Sequence, residues 1–229
     1  MKPSCEDQLC MFNRLKHLFS KSPAPEKLDE AAAQKWYDHK ASVMKQVMGE
    51  QHNIVMHAII PYAVGGGLDL YYYPNGIPGT GVATMELSEF PDRGSSNAAY
   101  SCYELVMFTK HLLALNEAKN PETPFGRAHH NINSILNCVA PYSTTAILNG
   151  NDTCEFPTEM QAVGGKCLIF QNYGPHYNQA VRRFGILAVI EIFRSEMDFA
   201  RAQGGGKLIQ LLKDAGNYPY SDLERNPVV

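Results

Sequence analysis

The run FGILAVIEIF, residues 184–193, constrains the fold of this chain more than any other stretch. It is strand-forming and apolar at odd and even positions alike, so neither face of the strand can be left in water. Such a segment belongs in the middle of a sheet. Two further strand-like runs precede it, TTAIL at 144–148 and KCLIFQNY at 166–173. Upstream, LDLYYYP alternates, with Leu68, Leu70 and Tyr72 on one side and Asp69, Tyr71 and Tyr73 on the other. The turn NGIPG and the return run GVATMELS make this a hairpin, and SCYELVMFT supplies a third strand.

Helices are placed by their caps and periodicity. Residues 25–48 read as helix, with Leu28, Ala32, Trp36, Val43 and Val47 at helical spacing and Gly49 to close it. It carries the one tryptophan, which predicts that it docks on the core; the preceding MFNRLKHLF is a weakly helical arm. A later helix starts with Thr123 as N-cap and Pro124 at N1, presents Phe125, Ala128, Ile132, Ile135 and Val139, and is expected to end at Pro141. Strands and helices interleave irregularly around at least one hairpin. The expected class is α+β: a single domain over residues 50–229 with a mixed or antiparallel sheet flanked by helices, plus an N-terminal helical extension over residues 1–49.

The run Gly204-Gly205-Gly206-Lys207 raises the question of a phosphate-binding loop. A Walker loop needs a glycine where Arg201 stands and a hydroxyl where Leu208 stands, and it follows a strand. Here Ser195 and Asp198 read as the opening of a preceding helix, and Leu208, Leu211, Leu212 and Ala215 form the stripe of a second one, closed by Gly216. The glycines are a hinge between two helices. Gly65-Gly66-Gly67 likewise lacks a dinucleotide-binding context and reads as a loop or bulge entering the first strand.

With a net charge of −3 and scattered basic residues, the chain has no general attraction to nucleic acid or anionic lipid. No apolar run is long enough to span a membrane, and the acids of MKPSCEDQLC stand where a signal peptide needs its apolar core. The expectation is a cytoplasmic protein with reduced thiols. Six cysteines show neither C-x-x-C pairs nor zinc spacing with histidine. No metal or cofactor is expected.

Motifs of catalysis are missing: there is neither G-x-S-x-G nor H-E-x-x-H. His129 and His130 read as helix-surface histidines, and Cys102 and Cys138 as core side chains. The stronger polar feature is a set of acids inside strands. Asp69 shares a face with Tyr71 and Tyr73, Glu86 shares one with Thr84 and Ser88, and Glu104 shares one with Val106 and Phe108. If these strands are neighbours, the acids converge. The plain reading is a solvated face, or acids paired to local Lys and Arg. The sharper reading is an acidic, tyrosine-rich patch of Asp69, Tyr71, Tyr73, Glu86 and Glu104 that receives a basic partner.

The carboxyl-terminal block, FGILAVIEIFRSEMDFARAQGGGKLIQLLKDAGNYPYSDLERNPVV, resembles the ending of suppressor-of-fused domain proteins in their bacterial branch. GLDLYYYP, VATMELSE and YELVMFT are similar to that family's strands, with MELSEFP departing from its usual second strand. The resemblance implies a non-enzymatic protein-binding module. In the bacterial branch it implies an immunity protein that binds and neutralises a partner toxin. The partner is then a protein, a toxin or a basic peptide segment. The alternatives are a small cytoplasmic hydrolase or transferase with an unrecognised Cys or acidic site, and a structural subunit closing a symmetric dimer.

Overall fold

The computed structural model describes residues 30–89, 94–174 and 182–229. Among them, seven strands form one sheet: β1 Val55–Met56, β2 Leu70–Tyr73, β3 Thr80–Ala83, β4 Tyr100–Thr109, β5 Thr153–Glu155, β6 Cys167–Tyr173 and β7 Arg182–Ile192. Their spatial order is β1-β2-β3-β4-β7-β6-β5. The central β4–β7 pair is parallel and every other pairing is antiparallel. Helices α1 Glu30–Met48, α3 Arg194–Gln203 and α4 Gly205–Asp214 cover one face, and α2 Pro124–Ser143 covers the other. The fold is α+β with a mixed sheet and a helix before it, as the sequence predicts. None of the described helices is long and apolar enough to cross a membrane.

Strand β7 lies where its composition demands. Ile186, Ala188, Ile190 and Ile192 pack toward α1, α3 and α4, while Leu187 and Val189 pack toward α2. Each fully buried Ile, Leu or Val contributes on the order of 1.5–3 kcal/mol. The helices use the caps read from the sequence in part. Thr123 Oγ1 accepts the Gly126 N–H at 3.1 Å, with Pro124 at the first helical position. Gly49 closes α1 at φ +82°, and Gly204 at φ +98° separates α3 from α4. Trp36, Met44 and Met48 dock α1 on the core. The arm MFNRLKHLF, the predicted start of α1, and Cys5 and Cys10 lie outside the described residues.

Four expectations are corrected. Pro141 does not end α2, which runs on to Ser143. Near the end of a helix a proline removes one hydrogen bond, and hydroxyls cover the last carbonyls: Ser143 donates to Ala140 O, Thr144 to Pro141 O and Thr145 to Tyr142 O. That use of the threonines explains the second correction, since TTAIL is a capping segment and loop rather than a strand. The short β5 takes the sheet position instead. Third, α3 starts at Arg194 with Phe193 as its cap, ahead of the Ser195–Asp198 pair. Fourth, the return strand of the hairpin stops at Ala83, leaving residues 84–88 as a loop.

The α3 cap also anchors the carboxyl terminus. Glu196, fully buried, accepts the Phe193 N–H at 2.9 Å and the Val228 N–H at 2.9 Å. It meets the Arg225 guanidinium fork at 2.6 and 2.9 Å. Burial works against the ionised carboxylate, but Arg225 and the two backbone donors outweigh it and hold Glu196 below its ordinary value. A folded-state pKa below the unfolded one stabilises the fold fully above the ordinary carboxylate range. That stabilisation is lost as the pH falls through the lowered value. Arg225→Ala strands this charge and is expected to cost about 3–5 kcal/mol at neutral pH in urea unfolding. The difference from wild type should shrink in acid; a constant difference from pH 7 down to 3 would dismiss the role given to Glu196.

Candidate functional site

The first four strands bring the predicted acids to one end of the sheet. Along the ladder Val55 pairs with Tyr71, Tyr71 with Ala83, and Ala83 with Val106. Tyr71 and Tyr73 face α1, and Leu70 and Tyr72 face α2, following the predicted parity. Asp69 enters β2 and Glu86 follows β3, so antiparallel pairing sets them side by side. The Asp69 backbone N–H donates to Glu86 Oε2 at 2.8 Å. The Asp69 carboxylate accepts the Ala58 N–H at 2.9 Å and lies 2.6 Å from His57 Nδ1.

Glu104 takes a different place. Its side chain has 0 % exposure, on the α1 side of β4. Five donors converge on it: Thr84 Oγ1 at 2.6 Å, Ser88 Oγ at 2.5 Å, the Ser88 and Leu87 backbone N–H groups at 3.0 and 3.2 Å, and Lys40 Nζ at 3.3 Å. Lys40, itself buried on α1, also donates to Met85 O at 2.7 Å. Trp36 Nε1 donates to Ser88 O at 2.7 Å. Glu104 is thus the centre around which residues 84–88 wrap. Tyr73 is buried too, with its hydroxyl on Gln51 Oε1 at 3.3 Å.

What reaches the surface is Asp69, Glu86 and Tyr71, each half-buried. Burial raises the Glu86 pKa. The Asp69 N–H opposes that shift, and the Asp69, Glu104 and Glu89 carboxylates add to it. The Tyr71 hydroxyl is pushed up by burial and then by Tyr37, Asp69, Glu86 and Glu104. Tyr62 is pushed up by burial, then by Glu104 and Glu86. The result is a knot of negative potential with phenols kept protonated at its rim. It favours a cation. The sequence reading missed Tyr37, His57 and Tyr62. Tyr62 sits in a short 3₁₀ turn, Tyr62–Val64, ended by Gly65 at φ +88°. A Cβ on Gly66 would lie 1.8 Å from Ile60 O, so the glycine run lets this turn fold tightly and leaves Ile59, Ile60 and Val64 exposed.

Of the remaining candidate groups, Cys102 and His129 are core side chains. Cys102 is buried and donates from Sγ to Arg183 O at 3.0 Å. Burial raises the thiols of Cys138, Cys154 and Cys167, which disfavours the reactive thiolate. His129 corrects an expectation. It is buried rather than on the helix surface, between Tyr72 Oη at 2.9 Å and Ala118 O at 3.1 Å, and burial lowers its pKa. The carbonyl requires a proton on Nδ1, so Nε2 accepts from the tyrosine. His130 is exposed. Among the described residues no group of three or more His, Cys, Asp or Glu side chains is arranged to hold a metal ion.

The Lys40–Glu104 pair supports a double-mutant test. Glu104→Gln leaves Lys40 charged in the interior and is expected to cost about 3–5 kcal/mol. Lys40→Met does the converse, whereas the two together should cost less than their sum by about 1–3 kcal/mol. Additive losses in urea unfolding would mean that the two groups act independently.

No protein-family model matches the sequence, and no curated protein does. Solved structures do share the architecture. A crystal structure of the Sufu–Fu complex is similar with a TM-score of 0.53 and 16% identity, over 86% of this chain and 91% of that one. The crystal structure of Drosophila Suppressor of Fused is similar with a TM-score of 0.48 and 17% identity, over 84% of this chain and 49% of that one. On the first of these, the fold is suppressor-of-fused-like.

Proposed function

We propose that this chain is a protein-binding module of the suppressor-of-fused kind. Its receiving surface is the acidic end of the sheet: Asp69, Glu86 and Tyr71 make contact, and Tyr73 and Glu104 hold them in place. One observation carries this reading. Glu86 is held on the Asp69 backbone N–H, which sets two half-buried carboxylates in each other's field and in that of Glu104, beside tyrosines and next to exposed Ile54, Ile59, Ile60 and Val64. An apolar area with a polar rim suits a protein interface. Like charges held together gain when a partner brings a Lys or Arg. Strand β1 adds the two-residue edge of the sheet, able to accept an extended segment. The similar fold in the Sufu–Fu complex, where that protein is bound to a partner, supports the same reading.

In its specific form the reading makes the chain a bacterial immunity protein, with a toxin as its partner in the cytoplasm. The carboxyl-terminal resemblance supports that form. Residues 50–229 are the binding unit and residues 1–49 its helical extension.

Asp69→Lys with Glu86→Lys reverses the charge of the face. The loss of the Ala58 and Asp69 hydrogen bonds is expected to cost about 1–3 kcal/mol, leaving a folded protein by circular dichroism. Partner capture in a pull-down should fall about 100-fold. A folded double variant that retains its partner at wild-type levels would remove this face from consideration.

A further inference from the structure

A second polar site lies at the carboxyl end of β4. Glu191, near the end of β7, alternates with Leu187 and Val189 toward α2 and is 3 % exposed. Its oxygens are satisfied by Lys166 Nζ at 2.8 Å and Asn131 Nδ2 at 2.5 Å. Above it opens a cleft of about 480 Å³, between the first turns of α2, the loop bearing Ala162 and Lys166, and the tail at residues 221–224. Ligand pockets span roughly 300–1,000 Å³. The cleft also sits at the carboxyl ends of β4 and β7, the parallel pair. In open parallel α/β sheets ligands bind outside the carboxyl ends of the strands, and here one pair has that geometry. Ala162, on its lip, holds φ +63°, a backbone strain that collects at functional sites.

The spare hydrogen-bonding capacity of this cleft lies on donors. Both Glu191 oxygens are used, and so are those of Asp222, which accept from Thr109 Oγ1 and the Lys110 N–H at 2.6 Å each. Lys166 has three N–H groups and gives one to Glu191; Arg127 gives Nη2 to Glu224 at 3.2 Å and keeps the rest of its fork. His111 and the exposed His130 add imidazole nitrogens to the lining. Glu224, on the tail, already lies against two of these groups, 3.2 Å from Arg127 and 3.6 Å from His111. It occupies the place an incoming anion would take.

We propose that this cleft binds a small oxyanion, a carboxylate or a phosphate, which displaces Glu224 from Arg127 and His111. The site is separate from the acidic face and does not depend on the reading given to that face.

The test is isothermal titration of the intact chain with inorganic phosphate and with succinate, at fixed ionic strength. Saturable binding of at least one probe is expected, and the one that binds identifies the ligand class. Arg127→Ala should weaken it about 10-fold and Glu224→Gln should tighten it about 3-fold, as expected for removing a charge-assisted partner and a competing carboxylate. Both side chains are more than half exposed, so neither change threatens the fold. Arg201→Ala, on α3 and paired with Glu155 of β5, serves as the control and should leave affinity unchanged. No heat with either probe overturns the proposal. So does binding that Arg127→Ala and Glu224→Gln leave untouched, or binding that Arg201→Ala weakens equally.

Discussion

A carboxylate without any exposure organises one half of this molecule. Removing a charge from water costs several kcal/mol even after the surroundings relax, and the cost is met only when donors surround it. Glu104 obtains five, from three places that no regular strand could supply together. Thr84, Leu87 and Ser88 can all point inward only if the chain leaves the strand after Ala83, which is where β3 stops. Lys40 must come from outside the sheet, and this fixes the rotation of α1 over it. Trp36, one turn earlier on α1, then reaches the Ser88 carbonyl. The surface acid Glu86 owes its position to the buried one. With Leu87 and Ser88 drawn inward, Glu86 is left at the rim, beside Asp69.

The legible parts of the fold were those governed by neighbours in sequence. The two-sided apolar run of β7, the alternation of β2, the Thr123–Pro124 start of α2 and the left-handed glycines at 49, 204 and 216 all follow from local chemistry. What escaped depended on distant partners. Parity already grouped Glu104 with Val106 and Phe108, which are core residues, but charge argued for a surface. Lys40, the residue that resolves the conflict, lies 64 positions away. His129 is buried because a tyrosine of β2 and a carbonyl of the preceding loop meet it. Strands β1 and β5, at two and three residues, are too short to show a period. TTAIL shows the reverse error, since β-branched residues read as a strand were recruited to close a helix. Of the candidate site, the pairing of Asp69 with Tyr71 was readable from alternation. The approach of Tyr37 and Tyr62 was not, because it requires knowing how α1 and the glycine turn fold over the sheet.

The same charged residue types leave different groups spare midway along β4 and at its carboxyl end. Midway along it, where Glu104 lies, one lysine is spent inside and the remaining carboxylates gather outward, so the potential left over is negative. At its carboxyl end the acids have their partners: Asp222 closes on the Thr109 hydroxyl and the Lys110 backbone N–H, and Glu191 on Lys166 and Asn131, so the unused hydrogen-bonding groups are N–H donors of Lys166 and Arg127. What differs along the strand is therefore the kind of group left spare, acceptors beside Glu104 and donors beside Glu191. In each case the groups left for a partner are those that the buried pairing does not use. This links recognition to folding: a change that frees Lys40 or Glu191 from its internal role alters stability and, in the same step, the charge offered at that end of the sheet.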